Sequence, residues 1–391
     1  MDVQKLSYPL TSQFAEAGVT IVGLVRDSDS GNYSKLVLLE TNEDSLKFPG
    51  VRFDAPFGDE NDIVSLAIKR FVEQTGFQDI DNYGLRAILP LKSRSGNEWM
   101  FRNVVFVGVN DLEARCATGR RVFLGNLDEL GEGNYVNSLT EPENTRPIIW
   151  ARDGNSILVE HIIQQALAFN NGTEYFEQIP VFGVPVTLGE RQYKGTGLSV
   201  ASAIVTHRPT TQDGLKAVSV KKKRKDGAPE GDDATGNPGG KVGTPLDEEP
   251  EDETKYSKIV IPKDGYSPLS ACMMECRQEL GFEVILTGLL GVSMTPLTMP
   301  DSTSWHNSIV NYIFTASPRN HRMVELCEQF PEEFLEEKME RLVQEDLNVY
   351  FARCAAGNVR TADMSLIAAH YQRFREKGTV KLWQFIETGV R

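Results

Sequence analysis

Apolar side chains recur at helical spacing in two well-separated stretches, 62–75 and 268–280. Each stretch is closed by Gly then Phe, in "KRFVEQTGF" at 69–77 and "MECRQELGF" at 274–282. Ahead of the first, "GDEND" offers carboxylate and amide caps for the free N–H groups of a helix start. Gly76 is free to take the left-handed conformation that ends a helix. Strand-like runs surround both helices in one order. In the first half they are 19–27 and 34–41, then "LKFPG" at 46–50, the helix, 85–91 and 100–109, and a late helical pattern at 156–169. In the second half they are 199–207 and 215–223, "SKIVIPKDG" at 257–265 in the place of "SLKFPG", the helix, 288–294 and 308–316, and a late helix at 364–376. The recurrence predicts a tandem duplication of an α+β unit, with domains over 1–178 and 179–391.

One segment breaks the pattern. Residues 226–254, "DGAPEGDDATGNPGGKVGTPLDEEPEDET", hold almost nothing to bury and are predicted to be a mobile insertion in the second domain. A length of 391 residues suits two domains. The formal charge of −14 argues against general nucleic-acid binding, which needs a cationic surface, and favours protein or small-molecule partners. The five cysteines are irregularly spaced, which fits a reducing compartment rather than a disulfide framework. The start "MDVQKLSYPL" has no signal-like apolar run, and the apolar run 284–294 is too short to span a bilayer. A cytoplasmic protein without membrane insertion is the expectation.

The two helix endings resemble the signature of the Nudix hydrolases, G-x5-E-x7-R-E-U-x-E-E-x-G-U with U a bulky apolar residue. That family carries it on a loop–helix–loop beside a mixed sheet. The resemblance therefore implies two tandem mixed-sheet domains flanked by helices. Carboxylates at i, i+3 and i+4 share one helix face, where in the family they hold divalent cations, usually Mg²⁺. Those metals bridge a substrate diphosphate and polarise the attacking water.

Both copies depart from the signature. Anchored on Gly76, the three acidic positions fall on Arg70, Glu73 and Gln74, the arginine on Lys69 and the upstream glutamate on Asn61, beside Glu60. Arg70 is placed to pair with Glu73, or to bond Gln74, where a metal would sit. Anchored on Gly281, the acidic positions fall on Glu275, Gln278 and Glu279, the arginine on Met274 and the upstream glutamate on Tyr266. Glu275 and Glu279 are then the candidate Mg²⁺ ligands.

Further features each have a plain and a sharper reading. "KKKRK" at 221–225 reads as a strand end entering a solvated loop, neutralised by "DEEPEDE" at 247–253, or as a targeting or anion-binding cluster. Residues 325–351 have a helical pattern: Phe334, Leu335, Met339, Leu342 and Val343 form a stripe between Glu332, Glu333, Glu336, Glu337 and Glu340. That is a solvated acidic face or a partner-binding helix. Cys272 and Cys276 read as buried small side chains rather than thiolate ligands, having no second pair at zinc spacing. The five histidines form no catalytic pattern, and "GKVGT" at 240–244 lacks phosphate-loop spacing.

The functional expectation is a non-catalytic tandem protein acting as a protein-binding adaptor. Its contact surfaces would be the grooves lined by Arg70, Glu73, Gln74 and Gln278, the acidic run and the insertion. The alternative is Mg²⁺-dependent hydrolysis of nucleoside diphosphate derivatives through Glu275 and Glu279. Between them lies nucleotide binding without turnover.

Overall fold

The computed structural model describes residues 15–27, 30–41, 45–52, 63–92, 99–113, 115–116, 120–130, 162–164, 166–167, 169–170, 187–188, 191–192, 199–209, 214–223, 235–242, 268–296, 308–337, 339–356, 358–360 and 388–390. They fall in two compact units, one formed mainly by 15–177 and the other by 178–250 with 263–391.

The first unit runs β1 (Ala15–Arg26), β2 (Tyr33–Glu40), β3 (Leu46–Lys47), β4 (Gly50–Arg52), α1 (Ile63–Thr75), β5 (Ile80–Lys92), β6 (Trp99–Val109), β7 (Val122–Asn126) and the short α2 (Leu127–Glu129). Its seven-stranded sheet has the order β3-β2-β1-β6-β5, with β4 on β1 and β7 on β2. The β1–β6 pair is parallel and the other pairs are antiparallel, so the sheet is mixed. Strand alternation gives the sheet two apolar faces. Val22, Leu24, Leu36, Leu38 and Phe106 pack with Ile162, Ile163 and Ala166, from the late helical stretch. On the other face the ring of Phe71 in α1 lies over Gly23, where an added Cβ would come within 2.6 Å of it.

A two-strand hairpin, β8 (Thr187–Leu188) and β9 (Arg191–Gln192), comes next. The second unit then runs β10 (Ser199–His207), β11 (Lys216–Lys222), β12 (Thr235–Gly236), β13 (Gly239–Val242), α3 (Pro268–Leu280), β14 (Val284–Pro296) and β15 (Ser308–Pro318). It continues with α4 (His321–Gln329), α5 (Pro331–Phe334), β16 (Met339–Asp346), α6 (Leu347–Ala355), β17 (Val359–Arg360) and β18 (Thr388–Val390). Its nine-stranded sheet has the order β17-β12-β11-β10-β15-β14-β18, with β13 on β10 and β16 on β11. Removing β17 and β18 leaves the order of the first sheet, with the same parallel central pair.

The registers match residue by residue. Ile21 N bonds Pro49 O at 2.8 Å, and Ala203 N bonds Pro238 O at 3.0 Å. Gly23 faces Val37 as Val205 faces Val218. Asn126 caps α2 through the amides of Asp128 and Glu129, and Asp346, at the equivalent register, caps α6 through Asn348 N. Both signature helices have 13 residues and end at a positive-φ glycine, Gly76 (83°) and Gly281 (77°). The architecture is α+β, with two mixed sheets flanked by helices.

Three expectations need correction. The counterpart of "LKFPG" is residues 235–239, "TGNPG", which place Pro238 and Gly239 where Pro49 and Gly50 stand. The residues 257–265 assigned to that role lie outside the described set. The stretch 226–254 was therefore misjudged in its middle, because 235–242 form β12 and β13, paired to β11 and β10. Finally, 325–351 is not one helix: it spans the rest of α4, then α5, strand β16 and the start of α6. The helix expected at 364–376 falls outside the described residues.

The two units solve one core contact with opposite volumes. Gly23 and Phe71 in the first correspond to Val205 and Cys276 in the second. Gly23→Val should cost about 2–3 kcal/mol by overpacking, and Phe71→Cys about 3–4 kcal/mol by leaving a cavity. In the double variant the added methyls enter the vacated space, so urea denaturation should show it more stable than the sum of the two losses by at least about 1 kcal/mol.

Candidate functional site

On α1 the single acidic signature residue is already matched. Arg70 Nη1 lies 2.5 Å from Glu73 Oε2, one turn along an exposed helix face. Gln74 turns to the sheet, where its Nε2 donates to Gly50 O at 2.8 Å and its Oε1 accepts from Gly50 N at 3.0 Å. Of the two bonds foreseen for Arg70, the one to Glu73 is made, and Gln74 is used in fastening the helix to the proline turn. The helix end is closed by Arg115 Nε, which donates to Thr75 O at 2.8 Å, and by Cys116 N, which donates to Gly76 O at 2.8 Å.

On α3 the same position is a carboxylate. Glu279 is 2% exposed, and its Oε2 accepts from Gly239 N at 3.2 Å, the contact Gln74 makes with Gly50. Its Oε1 receives the Lys222 ammonium at 2.7 Å. Glu275, one turn earlier, packs against Gly240 so closely that a Cβ there would run into its carboxylate. The glycine pair after Pro238 thus lets the helix approach the turn. Behind this face Cys272 and Cys276 are both buried, as the sequence led us to expect. Burial, then neighbouring Cys272 and the carboxylates of Glu279 and Glu275, push the Cys276 thiol well above its ordinary value.

The turn is held from its far side as well. Tyr350 Oη donates to Asn237 Oδ1 at 2.7 Å, and Arg353 Nη2 donates to Thr235 Oγ1 at 3.2 Å. Lys222, Asn237, Gly239 and Gly240 were missed as site residues. The signal for them was Pro-Gly at 238–239, the same pair as Pro49-Gly50, hidden inside a Gly-rich and acidic stretch.

The lysines of "KKKRK" are neutralised differently from the expectation. Lys221 and Lys222 are strand residues, and their partners are Glu340 at 3.5 Å and Glu279 at 2.7 Å. The acidic run at 247–253 lies outside the described residues. Glu340, assigned to an acidic helix, sits in β16. Glu332 and Glu333 lie in α5, exposed like Glu337, and Glu336 is half-buried. Phe334 packs over Gly281, so this segment covers the C-terminal end of α3. Gln278 is half-buried on α3.

Among the described residues, Glu73 and Glu279 do not present free oxygens to a divalent cation. One oxygen of Glu279 holds an ammonium and the other a backbone amide, and on α1 the lone carboxylate holds a guanidinium. The position equivalent to Lys222 in the first unit is Thr41, so both positions are uncharged in the first unit and charged in the second. Thr41 stands with Gln74, and Lys222 stands with Glu279.

With that geometry in hand, no protein-family model matches the sequence, and no curated protein matches it. Solved structures similar to the chain include a Nudix hydrolase from Nitrosomonas europaea, at 15% identity and a TM-score of 0.27, covering 45% of this chain and 88% of that one. A MutT/Nudix family protein from Listeria innocua matches at 12% identity and a TM-score of 0.26, covering 46% and 96%. The Nudix domain of NrtR from Shewanella oneidensis, complexed with ADP ribose, matches at 10% and 0.26, covering 41% and 94%. Likenesses this slight carry none of the argument. What the chain itself presents is a 13-residue helix beside a mixed sheet, twice, as the Nudix resemblance implies.

Lys222→Thr would leave Glu279 buried without its cation, and should cost about 2–4 kcal/mol in denaturation experiments. Lys222→Thr with Glu279→Gln reproduces the neutral pair of the first unit and should recover most of that loss. A double variant as unstable as the single one would show that Lys222 acts through something other than Glu279.

Proposed function

We propose that the chain is a non-catalytic protein with two Nudix-like units that works as a protein-binding adaptor. The observation that carries this reading is that the acidic face of each signature helix is engaged inside its own unit, by Arg70 in the first and by Lys222 in the second. Phosphoryl chemistry of the Nudix type needs several carboxylates free to hold metal in one site. Here Glu73 pairs with a resident cation, and Glu279 both fastens the helix and pairs with one. A fold kept while its charges turn inward serves as a surface.

Protein partners are favoured by the net charge of −14 and by the exposed carboxylates of Glu332, Glu333 and Glu337 beside exposed Phe330. Such a segment suits a basic partner, whose approach the charge would steer. Mg²⁺-dependent turnover through Glu275 and Glu279 is the competing reading, and nucleotide binding without turnover stands between them.

Calorimetric titration of the full chain with Mg²⁺ and a panel of nucleoside diphosphate derivatives, with an assay of diphosphate-bond hydrolysis to nucleoside monophosphate on the same samples, separates the three. Wild type and Glu275→Gln/Glu279→Gln are expected to form nucleoside monophosphate equally, at background. Turnover in wild type that the double variant abolishes would overturn the proposal. Heat of binding without turnover would make the groove a nucleotide sensor instead.

A further inference from the structure

The helix α4 has no counterpart in the first unit, where the connection between β6 and β7 contains no helix among its described residues. It is joined to the shared framework through two histidines. His207 is the last residue of β10, 1% exposed, at the register that holds buried Val25 in the first unit. His321 is the exposed first residue of α4. Their Nδ1 atoms are 2.9 Å apart, and the rings are stacked with centroids 5.1 Å apart at 30°.

A hydrogen bond between two Nδ1 atoms needs one proton. If both Nδ1 atoms carry one, two N–H groups face each other at that distance, and when both rings are fully protonated two positive charges do as well. The other ring nitrogen of His207, Nε2, is buried and has no hydrogen-bond partner. Charging this ring therefore forces a buried N–H to stay unsatisfied as well. Burial first, and then His321, hold His207 below the ordinary imidazole range, with Glu325 opposing them. The charged groups around the pair are Lys216, directly across β11 from His207, Arg208 next in the chain, and Arg322 and Glu325 on α4. Arg319, before the helix, is paired with Glu283 at 3.1 Å.

Other groups hold α4 as well. Val324 and Cys327 are its buried side chains, Asn320 caps it through Arg322 N at 3.0 Å, and Glu328 accepts from Gln344 Nε2 at 2.8 Å. We propose that the His207–His321 pair is an acid-sensitive latch that fastens α4 to the end of β10 with one proton and lets it go with two. The acidic segment of α5, which follows directly, is loosened with it. This inference does not rest on the adaptor reading, because it concerns how α4 is attached and not what the signature helices do.

The sign follows from linkage. When α4 opens, His207 regains an ordinary imidazole, which takes up a proton below about pH 6.5. Opening is therefore favoured as pH falls, by about tenfold between pH 7.5 and pH 5.5. Hydrogen–deuterium exchange of the full chain at those two pH values, corrected for the pH dependence of chemical exchange, reads this directly. Peptides over 321–329 should lose about tenfold in protection in the wild type, while peptides over 63–75 keep theirs. In His207→Val the loss should shrink to less than about twofold, and in His321→Gln, where the burial of His207 remains, it should shrink only in part. His321 is exposed, so His321→Gln keeps the test open if His207→Val fails to fold. Equal protection of 321–329 at both pH values in the wild type, or an unchanged loss in His321→Gln, would overturn the latch.

Discussion

The bond between the signature helix and the amide of the glycine after the turn proline fixes the rest of each unit. Gln74 makes it with Gly50 and Glu279 makes it with Gly239. It ties the last turn of the helix to a short strand that is itself paired to the central strand of the sheet. The distance it sets decides what else fits between helix and sheet. In the first unit that is Phe71 over Gly23; in the second, Cys276 at the place of Phe71 and Glu275 against Gly240. An amide can both donate to and accept from the glycine backbone and brings no charge into the interior. A carboxylate can only accept, and its charge at 2% exposure requires a cation at contact distance. Lys222 answers that requirement, and Thr41 stands in the unit that does not have it.

The two helices carry different residues at the corresponding positions of this face. With the helix fastened at its last turn, the other positions are constrained mainly by the need to balance their charges nearby. Arg70 meets Glu73 three residues along the same exposed face. Such a pair is worth little, roughly 0.3–0.5 kcal/mol, so it records tolerance more than stabilisation. Glu279 is different, because its carboxylate is buried and leaving it unmatched is costly. The exposed pair contributes little, whereas the buried carboxylate requires its cation.

How much of this could be read from the sequence varied with how much apolar surface each element carried. Both signature helices were legible because 13 residues of helical periodicity ended at a glycine. Their first and last residues came out within one position of those observed for α1, and at those observed for α3. The central strands were legible for the same reason. The short strands β12 and β13 were not, because "TGNPGGKV" has almost no apolar side chains. They exist through backbone pairing to β10 and β11 and through bonds from Tyr350 and Arg353, which are more than a hundred residues away. The strand β16 carries a helix-like spacing in the sequence because Met339 and Leu342, both buried, are three residues apart. That spacing comes from a break in register opposite Lys221 and Lys222, which turns two residues outward between two inward ones.

The candidate site shows the same division. Glu275 and Glu279 were placed on one helix face correctly, because a face follows from local geometry. Their chemistry was not legible, since it depends on a strand 57 residues earlier that delivers Lys222. A run of five basic residues looks like one surface cluster, yet alternation along β11 sends neighbouring lysines to opposite sides of the sheet. Lys221 goes to Glu340 on the adjoining edge strand and Lys222 to Glu279 beneath the helix. The sequence motif therefore dissolves into two separate contacts once the strand forms. A signature counted residue by residue records which carboxylates are present, but what they bind depends on their neighbours, on Arg70 of the same helix for Glu73 and on the Lys222 that the sheet brings to Glu279.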